Sequence, residues 1–115
     1  NLLESIKLIK KKKRKVGLAI NPKTKIEKLK PYLSKTDFIL ILSVNPGKYG
    51  SKFQSSTINK IKKIQKMTKK PIWVDGSIND KTIKKFKGFD IDRFIVGSYL
   101  QKEGREGLRK LNGSL

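Results

Sequence analysis

Between residues 71 and 80 the chain reads PIWVDGSIND, which sets the carboxylate of Asp75 directly after a short apolar run and directly before Gly76 and Ser77. An acidic group at a strand end either caps the turn that follows or works as a general acid or base at a sheet rim. A second apolar run ends in Gly97-Ser98, and with Gly76 and Ser77 these residues could present backbone N–H groups and hydroxyls to a phosphate. A third ends in SVNPGKYGSKF, residues 43–53, which carries Gly47, Lys48, Tyr49 and Gly50. Spacing alone leaves both readings of Asp75 open.

These groups need a scaffold that brings separate strand ends to one rim. The segment LLESIKLIKKKK places Leu2, Leu3, Ile6 and Ile9 at helical spacing, and VGLAI (Val16 to Ile20) is a strand-like run closed by Asn21-Pro22. KIEKLKPYL predicts a short helix interrupted at Pro31, and DFILILSV is apolar almost throughout, as a strand buried on both faces would be. SSTINKIKKIQKMTKK carries Ile58, Ile61, Ile64 and Met67 on one helical stripe, with Ser55 or Ser56 as N-cap and Pro71 as terminator. IWVDG is the third strand, INDKTIKKFKG a helix closed by Gly88, DRFIVGS the fourth strand and KEGREGLRKL a weaker last helix. Such alternation requires crossover connections and a parallel sheet. The predicted fold class is α/β, built of parallel (β/α) units. Four strands are half of a TIM (β/α)8 barrel, which usually needs about 250 residues. The open edges and inner face of a half-barrel would have to pair with something.

Composition narrows the chemistry. The 115 residues suit one compact domain, 1–115. There is no cysteine and no histidine, so disulfides, thiolate nucleophiles and the commonest transition-metal ligands are absent from this sequence. Lys+Arg 29 against Asp+Glu 9 gives a net charge of +20, which favours a polyanionic partner. Nearly all the bases are lysines, however, with arginine only at positions 14, 93, 105 and 109, and readers of base edges favour the arginine fork. Nucleic acid is therefore a disfavoured partner. Lys10 to Lys15 fall at a predicted helix C-terminus, where cations suit the macrodipole. No apolar run approaches the ~20 residues that span a bilayer, and no signal-peptide pattern opens the chain, so the expectation is a cytoplasmic protein without membrane partners. The opening Asn1 and NLLESIKLIKKKKRK read as the middle of a longer chain.

GLAINPKT, DFILILSVNPGKYGSKF, IWVDGSINDKT and FIVGS, in this order and at these separations, resemble the last four strands of ribulose-phosphate 3-epimerase, a TIM-barrel isomerase family. The resemblance covers nearly the whole chain, and SVNPG followed by VDG and GS is a specific combination. It implies interconversion of D-ribulose 5-phosphate and D-xylulose 5-phosphate by proton transfer at C3 through a metal-stabilised enediolate. Asp75 matches one of the family's two acid/base aspartates and would also ligate the divalent metal, which in the family is zinc, manganese, iron or cobalt. By the same match Gly47, Lys48, Tyr49 and Gly50 form the substrate-covering loop, Asp75, Gly76 and Ser77 touch substrate, and Gly97 and Ser98 hold its phosphate. The phosphorylated pentose is the implied small-molecule partner.

Departures from the pattern are equally specific. The covering loop, usually Gly-Phe-Gly-Gly-Gln, is bulkier and more basic here; the usual methionine before Ser-Val-Asn-Pro is Leu42; and Ser77 replaces the second glycine of Asp-Gly-Gly. A serine keeps the N–H, but glycine positions often require φ > 0. The second aspartate and both histidine ligands belong to the family's first half-barrel, and two copies of a histidine-free chain cannot restore them. The expected partner is therefore an N-terminal half-barrel, or else a homo-oligomer that closes the sheet. Three functional readings follow: half of an epimerase inactive alone, a non-catalytic sugar-phosphate or assembly half-barrel, and a basic nucleic-acid-binding protein whose affinity would fall steeply with salt. Trp73 shares the face of Asp75 in a regular strand and is expected to fill space. Tyr49, in the covering loop, is expected to meet either substrate or Phe53.

Overall fold

A computed structural model describes residues 1–47 and 51–115. Four strands, β1 (Gly17–Ile20), β2 (Phe38–Leu42), β3 (Ile72–Asp75) and β4 (Arg93–Ile95), lie parallel in the order β1-β2-β3-β4. Each parallel neighbour is reached by a crossover. A 3-10 turn at Ile26–Leu29 runs into α2 (Lys30–Leu33) between the first two strands, α3 (Ser56–Met67) joins β2 to β3, and a 3-10 turn at Ile83–Phe86 joins β3 to β4. Helix α1 (Leu2–Lys11) precedes the sheet and α4 (Ser98–Gly113) follows it. This is the α/β class the alternation predicts, with the architecture of half a (β/α)8 barrel. Among the described residues no helix is long and apolar enough to cross a membrane.

Register explains how the core forms. Leu18 pairs with Ile39, Ile20 with Ile41, and Ile41 with Val74, so one sheet face is continuously aliphatic. Ile61 and Ile64 of α3, with Leu29, Ile83 and Phe86 from the other crossovers, bury that face. Phe86 meets Phe53 and Phe94 edge-on, with ring centroids 5.7 and 5.3 Å apart. Such T-shaped pairs set the partial charges of ring edges against ring faces.

The second face differs from expectation. Ile39 and Ile41 are fully buried, whereas Phe38, Leu40 and Leu42 between them are half-buried. The helices cover only one side of β2, so its apolar run is not a strand enclosed on both faces. On the uncovered face the ring of Phe38 lies where a side chain on Gly17 would stand: a Cβ there would come within 2.1 Å of it. Phe38 stacks on Trp73 at 3.8 Å, and the guanidinium of Arg93 lies 4.7 Å over the indole. Trp73 Nε1 also donates to Asp92 at 2.9 Å. Trp73 thus shares the Asp75 face as predicted and fills space, packed against the Phe38 ring and the Arg93 guanidinium.

Local chemistry accounts for the other differences. Pro31 sits in the first turn of α2, where its missing N–H costs nothing, and so begins a helix it was expected to interrupt. Ser55 occupies the N-cap position of α3, but its side chain makes no capping bond. The helix ends when Thr68 turns extended, three residues before Pro71. The INDKTIKKFKG segment is a single 3-10 turn and not a full helix, because Asn79 and Thr82 hold its start as a side-chain-bonded turn. The last helix is longer than predicted and kinks at Gly104, whose φ and ψ of 59° and −141° leave helical space. In α1 only Ile6 of the apolar stripe is buried, and Leu2 and Ile9 are exposed. This helix precedes the edge strand β1, and its Ile6 lies outside the main core cluster.

Candidate functional site

Asp75 is the last residue of β3 and pairs in register with Leu42 of β2 and Ile95 of β4. It lies at the C-terminal rim on the face the helices leave uncovered, half-buried and flanked by two aliphatic side chains. Among the described residues no hydrogen bond or ion pair reaches its carboxylate. The capping reading therefore fails on geometry. The turn after β3 is capped by Asn79, whose Oδ1 accepts from Lys81 N and Thr82 N at 2.9 Å each.

The backbone around Asp75 is held from the neighbouring strand. Ser43 is fully buried, and its N–H and hydroxyl reach the Asp75 carbonyl at 2.8 and 2.9 Å. The same hydroxyl lies 2.5 Å from the Gly76 carbonyl. Gly76 has φ +113°, and a Cβ there would meet the Val44 side chain at 2.8 Å, so both conformation and space demand glycine. Ser77 follows at φ +50°, a left-handed setting that serine enters at a cost.

The phosphate-type groups are brought together in part. Ser77 and Ser98 line one cleft of about 300 Å³ with Ile78, Asn79, Tyr99 and Lys102. Gly97 stands at the N-cap position of α4, where the first backbone N–H groups of a helix lack internal partners. Gly47 has φ +90°. Lys48, Tyr49 and Gly50 lie outside the described residues. Phe53, the expected alternative contact for Tyr49, packs on Phe86, and the Lys85 ammonium lies 5.6 Å from its ring. The Tyr99 hydroxyl is buried; burial first, then the negative charge of Asp80, pushes its pKa above the ordinary value.

Sequence reasoning missed Ser43, Lys60 and Lys102. Lys60 Nζ, on α3, donates to the carbonyls of Asn21 and Thr24 at 2.8 and 2.6 Å and pins the turn after β1. A signal for the turns was present. Asn21-Pro22-Lys23-Thr24 and Asn79-Asp80-Lys81-Thr82 share the pattern Asn-x-Lys-Thr and two bonds, Asn N–H to Thr Oγ1 at 3.2 and 3.0 Å and Lys N–H to Asn Oδ1 at 2.9 Å in each.

The donor set does not hold a metal by itself. A protein-bound divalent cation takes several oxygen or nitrogen ligands, and among the described residues no group of three His, Cys, Asp or Glu side chains converges. Asp37 and Asp92 precede β2 and β4, at the opposite end of the sheet from Asp75.

A parallel (β/α)4 layer, with a carboxylate that has no partner among the described residues and a serine-lined cleft at its C-terminal rim, defines a half-barrel of the TIM type. The pattern of the Ribulose-phosphate 3 epimerase family matches residues 1–101, and the chain belongs to that family. It is 44% identical over 103 residues to the ribulose-phosphate 3-epimerase of Buchnera aphidicola, covering 85% of this chain and 45% of that protein. It is 33% identical over 109 residues to the Helicobacter pylori enzyme of the same name, covering 86% and 50%. The Bacillus subtilis enzyme is 30% identical over 122 residues, covering 99% and 56%. The chain spans about half the length of the curated relatives it matches.

Proposed function

We propose that residues 1–115 are one half-barrel unit of a ribulose-phosphate 3-epimerase, acting on D-ribulose 5-phosphate and D-xylulose 5-phosphate once a complementary half closes the sheet. Asp75 carries this reading: a carboxylate on the uncovered face with no partner among the described residues, next in sequence to the turn whose Ser77 lines the cleft shared with Ser98. Its role is to take or return the proton at C3, on one face of the sugar. The acid or base for the opposite face belongs to the complementary half. A proton α to a carbonyl leaves at a useful rate only when the oxyanion left behind is stabilised. A divalent ion supplies that stabilisation in the resemblance drawn above, and Asp75 would be this chain's one ligand to it. The remaining ligands must come from the other half, so the chain alone is expected to be inactive.

In this reading Gly47 to Gly50 cover the substrate, Gly76, Ser77, Gly97 and Ser98 contact its phosphate end, and the setting is the cytoplasm. The test is incubation with D-ribulose 5-phosphate in D2O, following the C3 proton by NMR, with and without manganese and with the N-terminal half of the Buchnera relative. Exchange only in the complemented sample, abolished by Asp75→Asn, is expected. Exchange by the chain alone would overturn the dependence on a second half, and ligand binding without exchange in every sample would leave a non-catalytic module.

A further inference from the structure

Among the described residues Ser77 and Lys13 are the non-glycine residues with positive φ, at +50° and +55°. Lys13 lies just past the end of α1, where left-handed residues commonly terminate helices. Ser77 lies in the turn that follows Asp75 and is held from both sides. Its hydroxyl donates to the carbonyl of Ser51 at 2.6 Å, and the Ser77 carbonyl accepts from the Thr82 hydroxyl at 2.6 Å. Ser51 belongs to the segment between β2 and α3, whose far end is tied back by Gln54 N–H to the Ser43 carbonyl at 2.6 Å. Ser43 in turn holds Asp75 and Gly76.

We propose that the Ser77 hydroxyl is a positioning group that clasps the return limb of the β2–α3 segment to the turn bearing Asp75. Glycine would accept the same φ without strain but would have no hydroxyl to give. Serine accepts the strain and gains a bond that fixes two rim segments, 26 positions apart in sequence, in one relative placement. Its consequence for ligand binding rests on the reading of this rim as the substrate site; the clasp itself does not.

The experiment is amide hydrogen exchange on the 115-residue chain as wild type, Ser77→Ala and Ser77→Gly. The two variants lose the same bond but differ in strain, so either alone keeps the test alive if the other folds poorly. Exchange at residues 51 to 54 is expected to quicken about tenfold in both, the factor one net hydrogen bond supplies, while the Ile39 and Ile41 amides hold their rates. Unchanged rates at 51 to 54 would overturn the clasp. So would rates that follow global stability, quickened in Ser77→Ala but not in Ser77→Gly. Titration with inorganic phosphate, read in NMR spectra, adds a signature that general destabilisation does not produce. The Ser51 amide should move with the Ser98 amide in wild type and stop doing so in Ser77→Gly. If wild type shows no phosphate shift at all, the substrate reading of the rim fails, while the exchange rates still decide the clasp.

Discussion

The buried hydroxyl of Ser43 lies 2.9 Å from the carbonyl oxygen of Asp75, which joins the end of β2 to the residue whose carboxylate faces the open side of the sheet. Ser43→Ala leaves the Asp75 carbonyl its backbone partner at 2.8 Å but removes the donor that reaches Gly76. A buried carbonyl stripped of one donor costs about 1–2 kcal/mol. Urea unfolding of the variant is expected to show that loss. Deuterium exchange at C3 in the complemented sample is expected to fall further than the stability change explains, because the turn that starts at Gly76, directly after Asp75, loses its tie to β2.

Gly17→Ala puts a methyl group where the Phe38 ring now lies, at 2.1 Å. The ring must move, and its stack on Trp73 goes with it. Overpacking of this kind costs about 1–3 kcal/mol. Near-ultraviolet circular dichroism should lose the indole signal, and the unfolding midpoint should drop.

Burial lowers the pKa of Lys60 from its ordinary 10.5. Between the lowered value and 10.5 the unfolded chain binds more protons than the folded one, so the Lys60 contribution to stability rises with pH across that interval. Lys60→Met removes the titration. The difference in unfolding free energy between wild type and Lys60→Met, measured in urea from neutral pH to just above 10.5, should shift in favour of wild type as pH climbs. A shift the other way would mean that the bonds to Asn21 and Thr24 favour the charged ammonium more than burial opposes it.

Lys102 lines the cleft that Ser77 and Ser98 share. An ammonium beside a phosphate site strengthens binding as a point charge. Lys102→Ala should weaken inorganic phosphate binding by about three- to tenfold, as a partly exposed charge pair of up to about 1 kcal/mol predicts. Calorimetry at two salt concentrations checks both the loss and its electrostatic origin.

The alternation of short aliphatic runs with Lys-rich amphipathic stretches was enough to place all four strands and their parallel order. Periodicity failed where side chains overrode it. Asn79 and Thr82 bond the backbone into a turn where a helix was expected, and Gly104 breaks α4 in its middle. DFILILSV reads as doubly buried because apolar content does not say how many faces are covered, and that depends on what packs beyond the chain. At the rim Asp75, Gly76, Ser77, Gly97 and Ser98 were legible from their positions after apolar runs. The supports were not. Ser43, Lys60 and Lys102 act across strands, and nothing local in the sequence of a serine or a lysine announces which distant carbonyl or cleft it will reach.

Strands β1 and β4 are each paired on one side only among the described residues. An unpaired strand edge is a template for polymerisation, and proteins commonly guard such edges with charge. Here the guard is spread over the whole molecule, since a net charge of +20 makes any two copies repel before their edges meet. That repulsion reaches only about 10 Å at 0.1 M ionic strength and about 3 Å at 1 M. The lysine excess thus works as a colloidal stabiliser. Static light scattering of the isolated chain should stay monomeric in dilute buffer and climb as salt is added, the reverse of what salt does to an assembly held by ion pairs.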